Sequence, residues 1–324
     1  MRNLAFLTVL LALAGAFATP SGACDLCAIY SAAQARGEMG KGWHGSIAHQ
    51  FTHQGTLQQD GVKVPNAEGQ KLDSAITQLA VGYNFASNFG LQLNLPFIHR
   101  AYERTTFTGV NETGSVSGLG DAALVANWSP WHAQTKHGIY RWTVLAGLKF
   151  PTGNSGRLQE EVDEKAPGFL PALPVESAVH GHDLTLGSGS VDGILGSGIF
   201  ASYERFFFTA SGQYALRTQG AKGYQYANDL SWSGGPGLYL LRSDDWTVSL
   251  QGNISGEYKQ RDTFQGAKGV DTAVKTVFVG PQIGVAWKSK LSADLGVDLP
   301  VVRDNTATQT VPDYRVRAAV TLRF

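Results

Sequence analysis

A period of two in hydrophobicity, sustained over segments of about ten residues, constrains this chain more than any other feature. In residues 246–256, Trp246, Val248, Leu250 and Ile254 fall on one side of an extended chain, and Thr247, Ser249, Gln251, Asn253 and Ser255 on the other. Successive side chains of a strand point to opposite faces, so one face of this segment wants oil and the other water. The same alternation runs through Tyr314, Val316, Ala318, Val320, Leu322 and Phe324 against Arg315, Arg317, Ala319, Thr321 and Arg323. It recurs in Leu291, Ala293, Leu295, Val297 and Leu299 against Ser292, Asp294, Gly296 and Asp298, and in Leu91, Leu93, Leu95 and Phe97 against Gln92, Asn94 and Pro96.

Extending this reading gives twelve strands, near 43–54, 73–86, 89–100, 118–129, 140–151, 189–202, 205–217, 231–242, 245–258, 274–288, 290–300 and 313–324. Most exceed the 5 to 6 residues of an ordinary soluble strand and reach the roughly 9 to 11 that cross a bilayer at a tilt. Tight turns, Ser87-Asn88, Tyr203-Glu204, Ser243-Asp244 and Ser289, follow the even strands. Long polar loops, 55–72, 101–117, 152–188, 218–230, 259–273 and 301–312, follow the odd ones, and 130–139 is a medium-length exception. Sorting of loop length by side is a property of outer-membrane barrels, with short periplasmic turns and long external loops. Closure of the sheet is required as well, because an open edge would leave unpaired backbone groups in hydrocarbon.

Composition agrees with many strands and turns: 39 glycines and only 16% charged residues in 324. Twenty-six basic and 26 acidic residues cancel, which leaves no global field for nucleic acid. The acidic stretch Glu160, Glu161, Asp163, Glu164 with Lys165 reads as a solvated external loop face. Trp43, Trp128, Trp142, Tyr214, Trp232, Trp246, Trp287 and Tyr314 fall near strand ends, as interfacial girdles require.

The first residues predict export. Arg2 precedes an apolar run over 4–17, and Ala16-Phe17-Ala18 offers a cleavage site. A second cut after Ala23 would expose Cys24. The expected organisation is a signal peptide over 1–18, an N-terminal CxxC segment over 19–41 that is periplasmic or lumenal, and an all-β transmembrane antiparallel barrel over 42–324.

The chain ends in Arg323-Phe324, which resembles the signature through which bacterial barrels meet their assembly machinery, with Phe324 as the signal. Gly118-Leu119-Gly120-Asp121-Ala122-Ala123-Leu124, Leu148-Lys149-Phe150-Pro151-Thr152-Gly153, the glycine-rich stretch 187–200 and Gly280-Pro281-Gln282-Ile283-Gly284 resemble the MetA-pathway of phenol degradation transporter family over about residues 42–324. The resemblance implies an outer-membrane channel or transporter for small solutes, hydrophobic or aromatic ones among them. It brings no catalytic residues.

Several groups are candidates for chemistry. Cys24-Asp25-Leu26-Cys27, followed by a helix-like 28–36, suits a structural disulfide, a metal or redox pair, or lipid attachment at Cys24. Ala28 stands where haem attachment needs His. A metal ion at Cys24 and Cys27 is the one cofactor to consider, and a periplasmic redox or metal-carrier protein the matching partner. His44, His49 and His53 share the first strand, and His180-Gly181-His182 sits in the longest loop; these are further metal candidates. The inward face carries Asp121, Arg141, Lys149, Arg217, Lys288, Asp294, Asp298, Arg315, Arg317 and Arg323, which either pair across the lumen or set its ion preference. Arg315 and Arg317 beside the Asp294 and Asp298 strand favour pairing.

No enzyme is expected. A membrane hydrolase would need a Ser and a His on the outer face, and His44 and Ser46 lack an orienting acid. The function expected is passage of small solutes; the alternative is a metal- or redox-linked structural or sensing barrel using the CxxC segment.

Overall fold

The computed structural model describes residues 41–106, 108–164, 177–288 and 290–324. The region before residue 41, with Cys24, Cys27 and the signal-peptide reading, lies outside the described residues, as does Lys165. The barrel strands are β1 (Gly42–Gln54), β2 (Lys71–Ala86), β3 (Phe89–Thr105), β4 in two pieces (Asn111–Leu119 and Ala123–Gln134), β5 (Ile139–Lys149), β6 (Asp192–Tyr203), β7 (Phe206–Leu216), β8 (Asp229–Arg242), β9 (Trp246–Lys259), β10 (Val274–Trp287), β11 (Leu291–Asn305) and β12 (Tyr314–Arg323). Every neighbour pair is antiparallel, and β1 pairs both β2 and β12, from His44 opposite Arg323 to His53 opposite Tyr314. The two pieces of β4 share one place beside β3, so the sheet is a closed twelve-stranded barrel.

The alternation read in the sequence decides which way each face looks. Along β9, Leu250 and Ile254 are exposed on the outside, while Gln251, Asn253, Ser255 and Glu257 are buried inside. Exposed Val81, Leu93, Leu195, Ile199, Ile283, Leu295 and Val320 continue an apolar band around the wall. Water would not tolerate so large an apolar surface, and hydrocarbon satisfies it. Leu295→Arg, in the middle of β11 with 51% of its surface exposed, is expected to cost about 2–4 kcal/mol. The readout is the urea midpoint in lipid vesicles, and an unmoved midpoint would place this face in water.

Tight connections at one end (87–88, 135–138, 204–205, 243–245) contrast with longer ones at the other (55–70, 150–191, 217–228, 260–273). Three sequence expectations change. The stretch 101–117 is mostly strand, because β3 runs to Thr105 and β4 begins at Asn111. Likewise β11 continues to Asn305, and Thr308–Val311 pairs with Thr56–Gln59. The β4 extension carries polar residues on its outward face, Thr113, Ser115 and Ser117 among them, and in the β11 extension a register shift exposes Val301 and Val302 in succession, so neither leaves a hydrophobic alternation to read. The medium-length exception at 130–139 shrinks to four residues closed by the Thr135 N–H donating to the Gly138 carbonyl, which places it among the tight turns.

Candidate functional site

The site begins where β4 breaks. Residues 120–122 leave the ladder: the Gly120 N–H donates to the Pro96 carbonyl, and the Ala122 N–H to the Thr152 hydroxyl. The break turns Asp121 into the lumen. There it accepts from the Lys149 ammonium at 2.5 Å, the Ser188 N–H at 2.9 Å, the Ser188 hydroxyl at 2.8 Å and the Gly153 N–H at 3.0 Å. Lys149 also meets Asp192 at 2.9 Å, Asp192 meets Arg217 at 3.0 Å, and Arg217 donates to Asp229 at 2.8 Å through its Nε. A belt of alternating charge thus stitches β4, β5, β6 and β8 at the long-loop end. Its members are nearly inaccessible, so each charge depends on its neighbours for the solvation that water no longer gives.

The longest loop folds inward onto this belt. Gly153 and Gly187 touch backbone to backbone: a Cβ on Gly187 would lie 2.5 Å from the Gly153 carbonyl oxygen and 2.6 Å from Asp121 Oδ1. Only glycine allows that approach. Val179 and Leu184, both fully buried, pack on Leu72 and Tyr102 of the wall, and Leu186 packs on Ala48, Ile76 and Ile98. Burial of a large aliphatic side chain contributes about 1.5–3 kcal/mol, so these contacts favour the seated loop alongside the charged ones.

A second set of charges latches the loop from above. The short helices α1 (Gln159–Glu164) and α2 (Gly181–Leu184) place Glu161 against His182, with Nδ1 2.8 Å from Oε1, and the His182 N–H donates to the same carboxylate at 3.0 Å. His180 stacks on His182 at 5.5 Å and 6° and lies 3.2 Å from Asp271, while His182 Nε2 is 3.4 Å from Asp183. Burial alone would push the Glu161 carboxyl up. The positive charge and hydrogen bonds of His182 outweigh it and bring the group down to about 2. Burial would likewise lower His182, but Asp183 and Glu161 hold it up at about 10. Arg104 joins Glu112 and Glu160 at 2.7 and 2.8 Å. The acidic run 160–164 is therefore in part a set of buried partners, where the sequence suggested a solvated face.

Under the loop lies a cavity of about 200 Å³. Thr52, Ser74 and Arg100 line one side, and Asp121, Lys149, Arg217 and Asp229 the other. The inner wall elsewhere is polar too. Arg317 grips Asp298 at 2.6 and 3.0 Å, Arg315 lies over the Phe278 ring and bonds Glu257, the Arg141 Nε donates to the Ser129 hydroxyl, and Gln282 approaches Asp294 at 3.4 Å. Gln50, Gln78 and Gln213 are buried and inward-facing, each with a side-chain atom that has no partner among the described residues. Such groups are the ones that water or a solute satisfies. Toward the tight-turn end, Phe200, Phe207 and Tyr239 form a ladder of rings at 6.3 and 4.9 Å.

The candidate residues thus divide. Asp121, Arg141, Lys149, Arg217, Asp294, Asp298, Arg315 and Arg317 all lie on the inner side. Lys288 does not: it sits in a turn, half-exposed, beside Asp245 and over Trp287. A residue at a strand end escapes the alternation that its neighbours obey. His49 and His53 face outward, bonded to Thr77 and Asp73, whereas His44 approaches Gln92 inside. Among the described residues no group of three or more His, Cys, Asp or Glu is arranged to hold a metal ion. Ser46 shares the inner face with His44, away from lipid. Phe324 is exposed at the terminus of the chain. Sequence reasoning missed Arg100, Asp183, Asp192, Asp229 and Glu257. Asp192 and Asp229 open their strands, and a charge at an inward position beside a loop was the available signal.

No family model matches the sequence, and no curated protein matches it. Solved structures do. An outer membrane channel from Pseudomonas putida F1 is 14% identical, with a TM-score of 0.61 over 88% of this chain and 96% of that one. The beta domain of the Bordetella autotransporter BrkA is 9% identical, with a TM-score of 0.45 over 88% of this chain and 100% of that one. The translocator domain of the autotransporter NalP from Neisseria meningitidis is 12% identical, with a TM-score of 0.40 over 88% and 89%. The first likeness shows the fold, a closed outer-membrane β-barrel.

Proposed function

We propose that this protein is an outer-membrane channel for small solutes, exported with its signal peptide removed, with the long loops outside and the inserted loop setting the size limit. The observation that carries the reading is the cavity beneath that loop, lined by polar and charged side chains from around the barrel. A structural barrel has no use for inward glutamines that lack a partner among the described residues. The MetA-pathway resemblance supports the same reading. Its hydrophobic or aromatic solutes are a second, narrower possibility, favoured by the Phe200, Phe207 and Tyr239 ladder. In this reading Phe324 addresses the assembly machinery, and no enzymatic step is involved, since Ser46 and His44 face away from lipid.

The test is single-channel conductance in planar bilayers, comparing the mature chain with a form lacking residues 19–41, each under oxidising and reducing conditions. Discrete steps are expected. A change on removing the segment, or on reducing Cys24 and Cys27, would assign that segment a gating role. Metal binding lost with the segment and no conductance in either folded form would favour the metal- or redox-linked sensing barrel instead.

A further inference from the structure

The cavity under the loop has two unlike walls. On one, Thr52 and Ser74 are nine-tenths or more buried, and their hydroxyls have no partner among the described residues; neither has Nε of Arg100, whose Nη1 donates to the Thr185 carbonyl at 2.8 Å and to that of Asp183. On the other, Asp121, Lys149, Arg217 and Asp229 belong to the alternating belt, in which each acid is met by a base at 2.5–3.0 Å.

From these walls we infer that the channel selects net-neutral, hydrogen-bonding solutes, polyols and zwitterions of roughly a dozen non-hydrogen atoms, and discriminates against ions of the same size. This rests on the channel reading above. Size follows from volume, since 200 Å³ holds roughly a dozen water-sized groups at about 15 Å³ each. Charge follows from the belt. Rings of one sign attract their counter-ions, whereas the belt's three acids are balanced by Lys149, Arg217 and, from the facing wall, Arg100, so an entering ion meets no net field. The ion must give up its water, and it regains partners only by breaking a pair that is buried. A hydroxyl loses far less. It donates to a carboxylate edge or accepts from an ammonium or guanidinium without disturbing the pairs, and the Thr52 and Ser74 hydroxyls complete its shell from the opposite wall. The loop itself clamps Arg100, because the carbonyls of Asp183 and Thr185 hold its guanidinium in the cavity lining.

The experiment uses proteoliposomes carrying the full mature chain, with isotonic swelling rates for arabinose, proline and potassium gluconate, and KCl conductance in planar bilayers. Arabinose and proline are expected to enter at least about tenfold faster than gluconate. Asp229→Asn keeps Arg217 on Asp192 and, with Arg100 on the facing wall counted, leaves three bases against two acids around the cavity, so gluconate entry should rise several-fold. Thr52→Val with Ser74→Ala should slow arabinose about threefold to tenfold, on the scale of one or two hydrogen bonds lost. Gluconate entering as fast as arabinose in the unmodified channel would overturn the inference while leaving the channel standing. So would an Asp229→Asn form, shown by circular dichroism to be folded, whose gluconate rate does not move. Absence of both swelling and conductance from a folded barrel would instead remove the channel reading on which the inference rests.

Discussion

Asp121→Ala is expected to release the inserted loop and raise single-channel conductance several-fold. The carboxylate collects the Ser188 N–H and hydroxyl, the Gly153 N–H and the Lys149 ammonium, so it ties the loop to two strands at once. Removing one partner of a buried pair costs about 3–5 kcal/mol when the other charge is orphaned. Here Lys149 keeps Asp192 at 2.9 Å, which places the cost near the lower figure. Since about 1.4 kcal/mol is a factor of ten in an equilibrium constant, about 3 kcal/mol shifts the balance of seated and released loop by roughly a hundredfold. Asp121→Asn keeps an acceptor for Gly153 and should fall between. Gly187→Val attacks the same anchor by crowding, because its side chain would meet the Gly153 carbonyl and Asp121. If both Asp121→Ala and Gly187→Val conduct as the unmodified protein does, the loop is not the constriction.

Seating of the loop is also expected to depend on pH, most visibly at the alkaline end. His182 is raised from 6.5 to about 10, so its contribution is complete below about 6.5 and fades as pH climbs toward 10. Glu161 is lowered from 4.5 to about 2, so its contribution is complete above about 4.5 and fades as pH falls toward 2. Between about pH 4.5 and 6.5 the pair holds at full strength. The two shifts describe one attraction seen from either side, worth on the order of 3 kcal/mol if counted once. Asp183 is lowered by the same imidazoles against the burial that would raise it, and His180 is held up by Glu164 and Asp271 against its own burial, so they weaken in the same directions. Open probability measured from pH 4 to 10.5 should be lowest near pH 5 to 6 and rise steeply above 9. Glu161→Gln with His182→Gln should flatten the curve. A flat curve in the unmodified protein would show that apolar packing of Val179 and Leu184 alone seats the loop.

The barrel was legible because the lipid–water contrast imposes a period of two on every strand within the apolar band. The same contrast fails at the rim. Residues 111–117 of β4 are polar outside as well as in, the end of β11 exposes Val301 and Val302 side by side at a register shift, and the sequence in both places resembles a loop. Lumen charges followed from face assignment for Arg141, Lys149, Asp294, Asp298, Arg315 and Arg317, since each alternates with apolar neighbours in a strand, while Asp121 reaches the lumen through the break in β4. Lys288, at a turn, broke that reasoning.

Alternation over twelve segments by itself determined a closed antiparallel sheet with an oily outside and a polar inside, because backbone groups in hydrocarbon must pair within the protein. The tertiary structure alone decided what fills the interior. His180, Glu161, Asp183 and Ser188 belong to a loop with no periodicity, and their places depend on contacts with β2, β3 and the break in β4 that lie far away in the chain. Burial of Val179 and Leu184 and the touch of Gly153 on Gly187 select one loop conformation from many, and local sequence carries no record of that selection.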